Sequence, residues 1–366
     1  MDFEFPPDAL MLQDMLRRFI QKEARPLEMK YFNEGSLSQE ERDRLRRAIE
    51  QLGLWGLTVP EEYGGGGLDL VTTCLIEEEL GTTFVPVEIG EVPPMLYACV
   101  GEQVPRVLEP ALAGKREAII AAREPGALLP EDWSTKVASG ENGFVINGLK
   151  TIARLPSEDD FLMVYAKAPE GMTVYLLDTE HPGLSTSKDG DFLLTIRDCH
   201  VNPDAILGEI GGALSLGADQ APHNWIRLGA RYVGLVERLI EMAVEHAKDW
   251  VSLGAPLSVR PAVQRAVAEL RVEVESARWM VYHAAWIADI GKAPLRMEAA
   301  QVRLATGEML QRAIDRVTMI YTGPGPSSQI EPRRLVNRVV PPEALTLALE
   351  NACAVIAVHE LDLSNI

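Results

Sequence analysis

The sequence predicts a mainly helical α+β protein with an N-terminal helical domain, a central β barrel or sandwich, and a C-terminal four-helix bundle. Apolar residues recur at helical spacing in both end portions of the chain. Between them, short apolar runs alternate with turn residues, as in a compact β domain. The predicted domains are therefore 1–115, 116–220 and 221–366. A chain of 366 residues, 47% of them hydrophobic, is long enough for several such domains.

The N-terminal portion carries several helix signals. Ser38 and Glu41 have the spacing of a capping box, which predicts a helix through Leu52. The four glycines at 64–67 predict a break before a further helix at about 70–80. A first helix is predicted from an apolar stripe formed by Leu10, Leu12, Met15 and Phe19.

In the rest of the chain the spacing of apolar residues changes twice, from helical to strand-like and back to helical. Turn signals such as Asn147-Gly148 and His181-Pro182-Gly183 separate short strands in the middle of the chain. After about residue 220 the helical period returns and predicts four long helices, the last of which follows Pro341-Pro342. Four amphipathic helices can bury their apolar stripes against one another in a bundle.

Composition excludes several classes of function. The chain has 35 Lys and Arg against 54 Asp and Glu, a formal net charge of −19, which disfavours nucleic acid as the main partner. Its four cysteines form no CxxC pair, and no apolar run approaches the length of a membrane span, so we expect a reducing, cytoplasmic location without a membrane span. The six histidines show no metal-ligand spacing, and we predict no metal site.

Several motifs resemble those of the acyl-CoA dehydrogenase family. They run in the family's order over nearly the whole chain: GLWGLTVPEEYGGGGLDL, IEEELG, AREPG, GFVINGLK and DCHVNPDAILGE. The resemblance implies the three-part fold, an acyl-CoA substrate and α,β-dehydrogenation with FAD. It also implies a homo-oligomer, or a hetero-oligomer with a related acyl-CoA dehydrogenase subunit, formed through the C-terminal helices.

The resemblance also implies a catalytic base. In the family this base is often a glutamate nine residues after an arginine, and here Arg334 is followed nine residues later by Glu343. Such a carboxylate removes the α-proton of the acyl group. The alternative is structural, because Pro341-Pro342-Glu343 is also a common way to begin a helix.

The flavin positions depart from the family pattern. By resemblance, the cofactor-binding residues are Glu124, Thr151, Arg154, Gly323 and Gly325. Ile152 and Arg154, however, occupy the positions of the family's tryptophan and hydroxyl residue. Thr151 can replace that hydroxyl only if the strand shifts by one residue, which would reverse its faces. Trp250 also stands where the family has a phosphate-binding arginine.

Three functional readings therefore stay open. In the first, the chain is an FAD-dependent acyl-CoA dehydrogenase in which Arg123 or Arg154 replaces lost flavin contacts, unless both are surface charges at strand ends. In the second, it is a catalytically degenerate partner subunit of a heteromeric acyl-CoA dehydrogenase, such as the steroid-CoA side-chain type. A third, non-enzymatic reading is an acyl-CoA-binding or protein-binding module. Three tryptophans near the bundle helices are predicted to belong to the core: Trp250, Trp279 and Trp286.

Overall fold

The computed structural model describes residues 4–127, 132–140, 143–189, 191–213, 215–216, 220–292, 294–321, 332–340 and 342–362. Within these residues the chain forms two compact units. One comprises Met1–Ile89 with Ala221–Ile366, and the other is Gly90–Gln220. The first is helical and the second contains the main β-sheet. The three-domain boundaries at 115 and 220 stay a prediction.

The helices confirm the main expectations from periodicity. Ser38 caps its helix through a capping box in which its hydroxyl accepts from the Glu41 N–H, as predicted. Four long helices follow residue 220, together with a short one that the periodicity did not predict. The bounds are α1 Pro7–Phe19, α2 Glu28–Glu34, α3 Gln39–Gln51, α4 Leu70–Gly81, α5 Glu109–Leu112, α6 Ala221–Asp249, α7 Pro261–Asp289, α8 Arg296–Tyr321, α9 Pro332–Val339 and α10 Pro342–Glu360.

The second unit contains one eight-stranded sheet. Its strand order is β6-β7-β3-β2-β4-β5-β8, with β1 paired in parallel to β4. The path is open at both ends, so the barrel that the sequence left possible does not form among the described strands. The bounds are β1 Glu117–Ala121, β2 Lys136–Gly140, β3 Gly143–Ile152, β4 Asp160–Ala168, β5 Gly171–Asp178, β6 Leu184–Asp189, β7 Asp191–Val201 and β8 Ile206–Leu207.

The sheet consists of two halves that are joined by a single residue pair between β2 and β4. Strands β2 and β4 share only the pair Lys136 and Lys167, whereas β3 with β7 and β4 with β5 pair over most of their lengths. Buried side chains from both halves, including Ile146 on β3 and Val164 on β4, belong to one hydrophobic cluster. The sandwich-like alternative therefore describes this unit better than a closed barrel.

Helix α4 joins the N-terminal helices to the bundle within the first unit. A Cβ at Gly234 of α6 would lie 1.8 Å from the backbone carbonyl oxygen of Glu78 on α4. A Cβ at Gly81 of α4 would lie 2.2 Å from the backbone carbonyl oxygen of Arg231 on α6. Because side chains at these glycines would collide with backbone, they permit the close crossing of α4 and α6.

The three consecutive glutamates of α4 tie it to three different helices, and only Glu77 pairs across the crossing with α6. Buried carboxylates need charged or hydrogen-bonding partners, and each glutamate finds its own. Glu77 is fully engaged in two ion pairs, and Arg231 and Arg227 keep its pKa low although burial opposes ionisation. The partners are Arg227 and Arg231 for Glu77, Arg278 and Tyr282 for Glu78, and Arg17 for Glu79.

The glycine-rich segment before α4 folds back on itself. A Cβ at Gly65 would lie 2.1 Å from the Val59 oxygen, and the N–H of Gly67 donates to the same oxygen at 2.9 Å. This tight turn accounts for the glycines by local packing alone. None of the helices in the described part of the chain is long and apolar enough to cross a membrane.

Candidate functional site

The β unit brings two sequence-distant motifs together. The N–H of Thr151, near the end of β3, donates to the carbonyl of Arg123 at 2.9 Å. Glu124 therefore lies beside the strand that carries Lys150 and Thr151. Two of the predicted cofactor-binding residues, Glu124 and Thr151, thus occupy one end of the sheet.

The carboxylate of Glu124 is buried and fully engaged by protein donors. Its Oε2 accepts from the N–H and hydroxyl of Ser134 at 2.5 and 2.8 Å, and its Oε1 accepts from the Thr135 N–H at 2.8 Å. The ammonium of Lys150 donates to Oε1 at 2.9 Å. Burial alone would raise the pKa of Glu124, but these hydrogen bonds lower it to about 2. The side chain supports the local backbone and has no donor to offer a flavin.

Lys150 is the counter-charge that makes this arrangement possible. Its side chain is 0% exposed, and its ammonium also donates to the Ala122 carbonyl at 2.9 Å. The ring of Trp133 lies 4.6 Å from Nζ, within the range of a cation–π contact. Burial lowers the pKa of Lys150, and Glu124 partly opposes that shift. The three groups form a closed cluster, named here the Lys150 cluster: Lys150, Glu124 and Trp133.

The pH dependence of stability should report on Glu124. Its pKa is lowered in the folded chain, so its stabilising contribution is present above the ordinary glutamate pKa and is lost as pH falls towards 2. We expect the difference in unfolding free energy between the wild type and Glu124→Gln to shrink steadily between about pH 4.5 and pH 2. Urea unfolding at several pH values measures it, with the exposed Glu158→Gln as a control. A difference independent of pH would contradict the assignment.

Strand β3 keeps the register that its core demands. Lys150 and Ile152 are buried, and Ile152 belongs to the cluster of the β unit, whereas Thr151 between them is half-buried on the opposite face. The pairing of β3 with β7 shifts register between Ile146 and Gly148, and beyond that point Thr151 stays on the face opposite Lys150 and Ile152. Its hydroxyl instead points away from that core, on the same side as the exposed Ala153.

Arg154 is bound by carboxylates, although its side chain is still 39% exposed. Its two terminal nitrogens donate to the two oxygens of the buried Asp160 at 2.6 and 2.8 Å, a bidentate pair. A second ion pair, at 2.5 Å, joins it to Glu117. These carboxylates raise its pKa further above the ordinary arginine value, mainly through the hydrogen bonds to Asp160. The guanidinium therefore holds the ends of β1 and β4 together, and the side chain is a poor replacement for a flavin contact.

Arg123 differs from Arg154 in this respect. It is exposed, and it forms no ion pair with any residue that the structure describes. Its backbone carbonyl accepts from the Thr151 N–H, so the backbones of these two residues lie side by side. Of the two arginines considered from the sequence, Arg123 has the guanidinium available for an anionic ligand.

The helical unit shows what replaces the family's phosphate-binding arginine. Trp250 is half-buried, and its ring stacks on His246 at a centroid distance of 5.6 Å. His246 in turn stacks on Tyr321 at 4.1 Å. The Tyr321 hydroxyl donates to the Met242 carbonyl at 3.0 Å. This position therefore carries an aromatic stack, which gives packing but no positive charge, because burial lowers the pKa of His246.

The remaining predicted residues are only partly described. Glu343 lies in the first turn of α10, as its structural alternative requires, but its side chain is outside the described set. Gly323 and Gly325 fall outside the described residues altogether. Their proposed roles therefore rest on the sequence resemblance.

Sequence reasoning missed Lys150 and Asp160 as members of this region. The sequence did contain a signal for Lys150. It lies two residues before Ile152, so both side chains lie on the same face of the strand, and a lysine that faces a core needs a carboxylate partner. Asp160 gave no comparable signal, since its pairing with Arg154 depends on the conformation of the turn that joins β3 to β4. The four cysteines are free, and Cys74, Cys99 and Cys199 are buried.

Comparisons with known proteins agree with this architecture. Models of the acyl-CoA dehydrogenase N-terminal and C-terminal domains match residues 6–114 and 220–341. The chain is 29% identical to (R)-benzylsuccinyl-CoA dehydrogenase of Thauera aromatica, covering 90% of this chain and 89% of that one. It is 27% identical to the human mitochondrial short-chain specific acyl-CoA dehydrogenase, covering 88% and 82%.

Solved structures show the same fold over the whole chain. Acyl-CoA dehydrogenase from Geobacillus kaustophilus superposes with a TM-score of 0.83 at 21% identity, covering 99% of this chain and all of that one. Butyryl-CoA dehydrogenase from Megasphaera elsdenii gives 0.81 at 22% identity, with the same coverage. The matches to both terminal domains, together with this fold, show that the chain belongs to the acyl-CoA dehydrogenase family.

Proposed function

We propose that this chain carries out the α,β-dehydrogenation of an acyl-CoA thioester with FAD as its cofactor. The observation that carries the proposal is the match of both terminal domains to the family, at residues 6–114 and 220–341. In this reaction the α-carbon loses a proton, the β-carbon loses a hydride, and a carbon–carbon double bond forms between them. FAD, when bound, supplies the acceptor for the hydride.

Glu343 is the proposed base for the α-proton. A carboxylate at this point of the chain would take the proton while hydrogen bonds to the thioester carbonyl stabilise the developing enolate. Its position nine residues after Arg334 supports the assignment. Glu343 also lies in the first turn of α10, where an acidic residue is favourable whatever its chemistry.

We infer that fewer residues hold the cofactor than the resemblance implies. Thr151, near the end of β3, has an available hydroxyl, and Arg123, just after β1, has an available guanidinium. Glu124 and Arg154 do not fit as direct contacts, because protein groups already take their charges. Gly323 and Gly325, which lie outside the described residues, stay proposed cofactor contacts by resemblance. We therefore expect weak retention of FAD by this chain alone.

A second candidate function follows from the same observations. The engagement of Arg154 and the replacement of a phosphate-binding arginine by Trp250 favour a degenerate partner subunit of a heteromeric acyl-CoA dehydrogenase. Such a chain would complete or support the site of a related subunit. A non-enzymatic binding module lacks any specific supporting contact in the described residues. The cytoplasmic location also stays a prediction.

The visible absorption spectrum distinguishes the two candidates. The purified protein is titrated with FAD, and free and bound flavin are then separated by ultrafiltration. The first proposal predicts saturable binding of about one FAD per chain, weakened further by Arg123→Gln but not by the exposed control Lys136→Gln. Absence of binding at saturating FAD would reject dehydrogenation by this chain alone. Recovery of bound flavin on adding a related subunit would then support the partner-subunit function.

The acyl group should be sought among the substrates of the relatives. Their names include benzylsuccinyl-CoA and glutaryl-CoA, which carry a free carboxylate besides the thioester, and short-chain acyl-CoA thioesters. A substrate panel should therefore contain matched pairs with and without a distal carboxylate. Bleaching of the flavin band on adding each thioester measures the dehydrogenation directly.

A further inference from the structure

One buried arginine of the helical unit has no counter-charge. Arg303 of α8 is 8% exposed, and its Nε and Nη1 have no hydrogen-bond partner. No carboxylate of the residues that the structure describes forms an ion pair with it. Arginine stays protonated in proteins, so this side chain cannot adapt to burial by losing its charge. An isolated buried charge is costly, and the cost falls when an anion binds beside it.

The other buried charges in the described part of the chain are paired. Each of them forms an ion pair with a side chain of opposite charge. These buried and paired side chains are Glu28, Glu77, Glu79, Glu124, Lys150 and Asp160. Buried arginines and lysines in proteins are paired in the same way. Arg303 therefore departs from a rule that the rest of the described chain follows.

The guanidinium of Arg303 lies beside an aromatic side chain of α6. Its Cζ is 5.5 Å from the ring centre of Tyr232, within the range of a cation–π contact. Burial raises the pKa of the Tyr232 hydroxyl, and the charge of Arg303 partly opposes that shift. A cation–π contact offsets only part of the cost of burying an arginine. Tyr232 therefore orients the guanidinium but does not neutralise it.

Helix α8 itself supplies no carboxylate to Arg303. Its nearest acidic residues, Glu298 and Glu308, are five positions away in either direction, about 140° around the helix. The positions three and four residues away, which share the face of Arg303, carry small side chains or none: Ala299, Ala300, Thr306 and Gly307. The group that neutralises the guanidinium must therefore come from outside α8.

Helices α6 and α10 both approach α8 near Arg303. Tyr232 reaches it from α6. One turn further along α8, a Cβ at Gly307 would lie 3.3 Å from the side chain of Leu345 on α10. The proposed base, Glu343, is two residues before Leu345 in the chain. The interior between the helices of a bundle is a common place for a ligand.

We propose that Arg303 is the centre of an anion site inside the helical bundle and that its ligand is a carboxylate. A planar carboxylate matches the donors of a guanidinium and forms charge-assisted hydrogen bonds with it. The same chemistry is offered by a free dicarboxylic acid and by an acyl thioester that carries a distal carboxylate. The site depends neither on FAD nor on the dehydrogenation, so its failure would leave the proposed function standing.

The sign of a stability change tests whether the charge of Arg303 is uncompensated. In a buffer free of carboxylates and phosphate, Arg303→Met should raise the urea midpoint of the full chain, because it removes an unpaired buried charge. Arg238→Met on α6 is the matched control. It breaks the 2.7 Å ion pair with the buried Glu28 and should lower the midpoint. A lower midpoint in Arg303→Met would overturn the proposal, because contacts within the chain would then compensate the charge.

Stabilisation by added ligands identifies the carboxylate and its source. The wild type is unfolded in urea with glutarate, with glutaryl-CoA, or with pentanoyl-CoA, which has the same number of acyl carbons but no distal carboxylate. A ligand that binds the folded chain raises the midpoint. We expect glutarate or glutaryl-CoA to raise it, and Arg303→Met to weaken that binding by about 10–100-fold, the usual effect of losing charge-assisted hydrogen bonds. Arg303→Lys keeps the charge without the planar fork and should bind with intermediate affinity.

The responses to the three ligands separate the possible outcomes. A response to glutarate assigns the site to a free acid, and a response to glutaryl-CoA alone assigns it to the acyl group; both support the proposal. Equal responses to glutaryl-CoA and pentanoyl-CoA, with none to glutarate, would refute the site while supporting acyl-CoA binding. No response to any of the three, a response to inorganic phosphate alone, or an unchanged response in Arg303→Met would also overturn the proposal.

Discussion

Glu343→Gln should lower kcat for acyl-CoA dehydrogenation by about 10²–10⁴-fold, the usual contribution of a positioned general base. The amide is nearly isosteric with the carboxylate but cannot accept the α-proton, so the bound FAD and the fold should be unaffected. Steady-state rates with an external electron acceptor measure the loss, and the flavin spectrum and circular dichroism verify the rest.

A matched control for this substitution lies on the same helix. Glu350 is exposed on α10, two turns after Glu343, and Glu350→Gln removes the same charge at a distance from the proposed base. It should retain the wild-type rate. Equal losses in the two variants would indicate a general effect of charge on α10. A fully active Glu343→Gln enzyme would exclude Glu343 as the base.

Lys150→Met should destabilise the β unit by about 3–5 kcal/mol, the usual cost of removing one partner of a buried ion pair. Methionine fills much of the lysine volume, but it leaves the Glu124 carboxylate buried beside Trp133 without its counter-charge. Urea unfolding followed by far-ultraviolet circular dichroism and tryptophan fluorescence measures the change.

Two further variants separate charge from volume at this position. Adding Glu124→Gln to Lys150→Met removes the orphaned charge and should recover part of the lost stability. Lys136→Met on the neighbouring strand β2 replaces an exposed lysine and should change the unfolding free energy by less than about 0.5 kcal/mol. A Lys150→Met protein as stable as the Lys136→Met control would mean that the Lys150 cluster does not stabilise the fold.

Local signals accounted for most of the helices. The Ser38 and Glu41 capping box depends on residues three apart, and the long bundle helices depend on apolar spacing within each segment. Strand pairing depends instead on residues far apart in the chain. Short apolar runs and turn residues therefore could not predict the strand order β6-β7-β3-β2-β4-β5-β8, and barrel and sandwich remained alternatives.

The candidate site shows the same division. The sequence pointed to Glu124, Thr151 and Arg154 by resemblance, and the structure places Glu124 and Thr151 at one end of the sheet. The sequence could not indicate that Lys150 neutralises Glu124. It also could not indicate that Asp160 binds both terminal nitrogens of Arg154. Those partners come from other strands, and only their packing decides which polar groups remain available to a ligand.

The sequence by itself determined the family, the helical and β segments, and the positions where the flavin motifs depart from the family pattern. Those properties reside in local spacing and in residue identity. The tertiary structure alone decided that Arg154 is held by carboxylates while Arg123 is exposed, and that Trp279 and Trp286 face solvent. Periodicity shows that a helix has an apolar face. Which apolar residues are buried depends on how many neighbours surround the helix, and α7 carries more apolar surface than its own bundle covers.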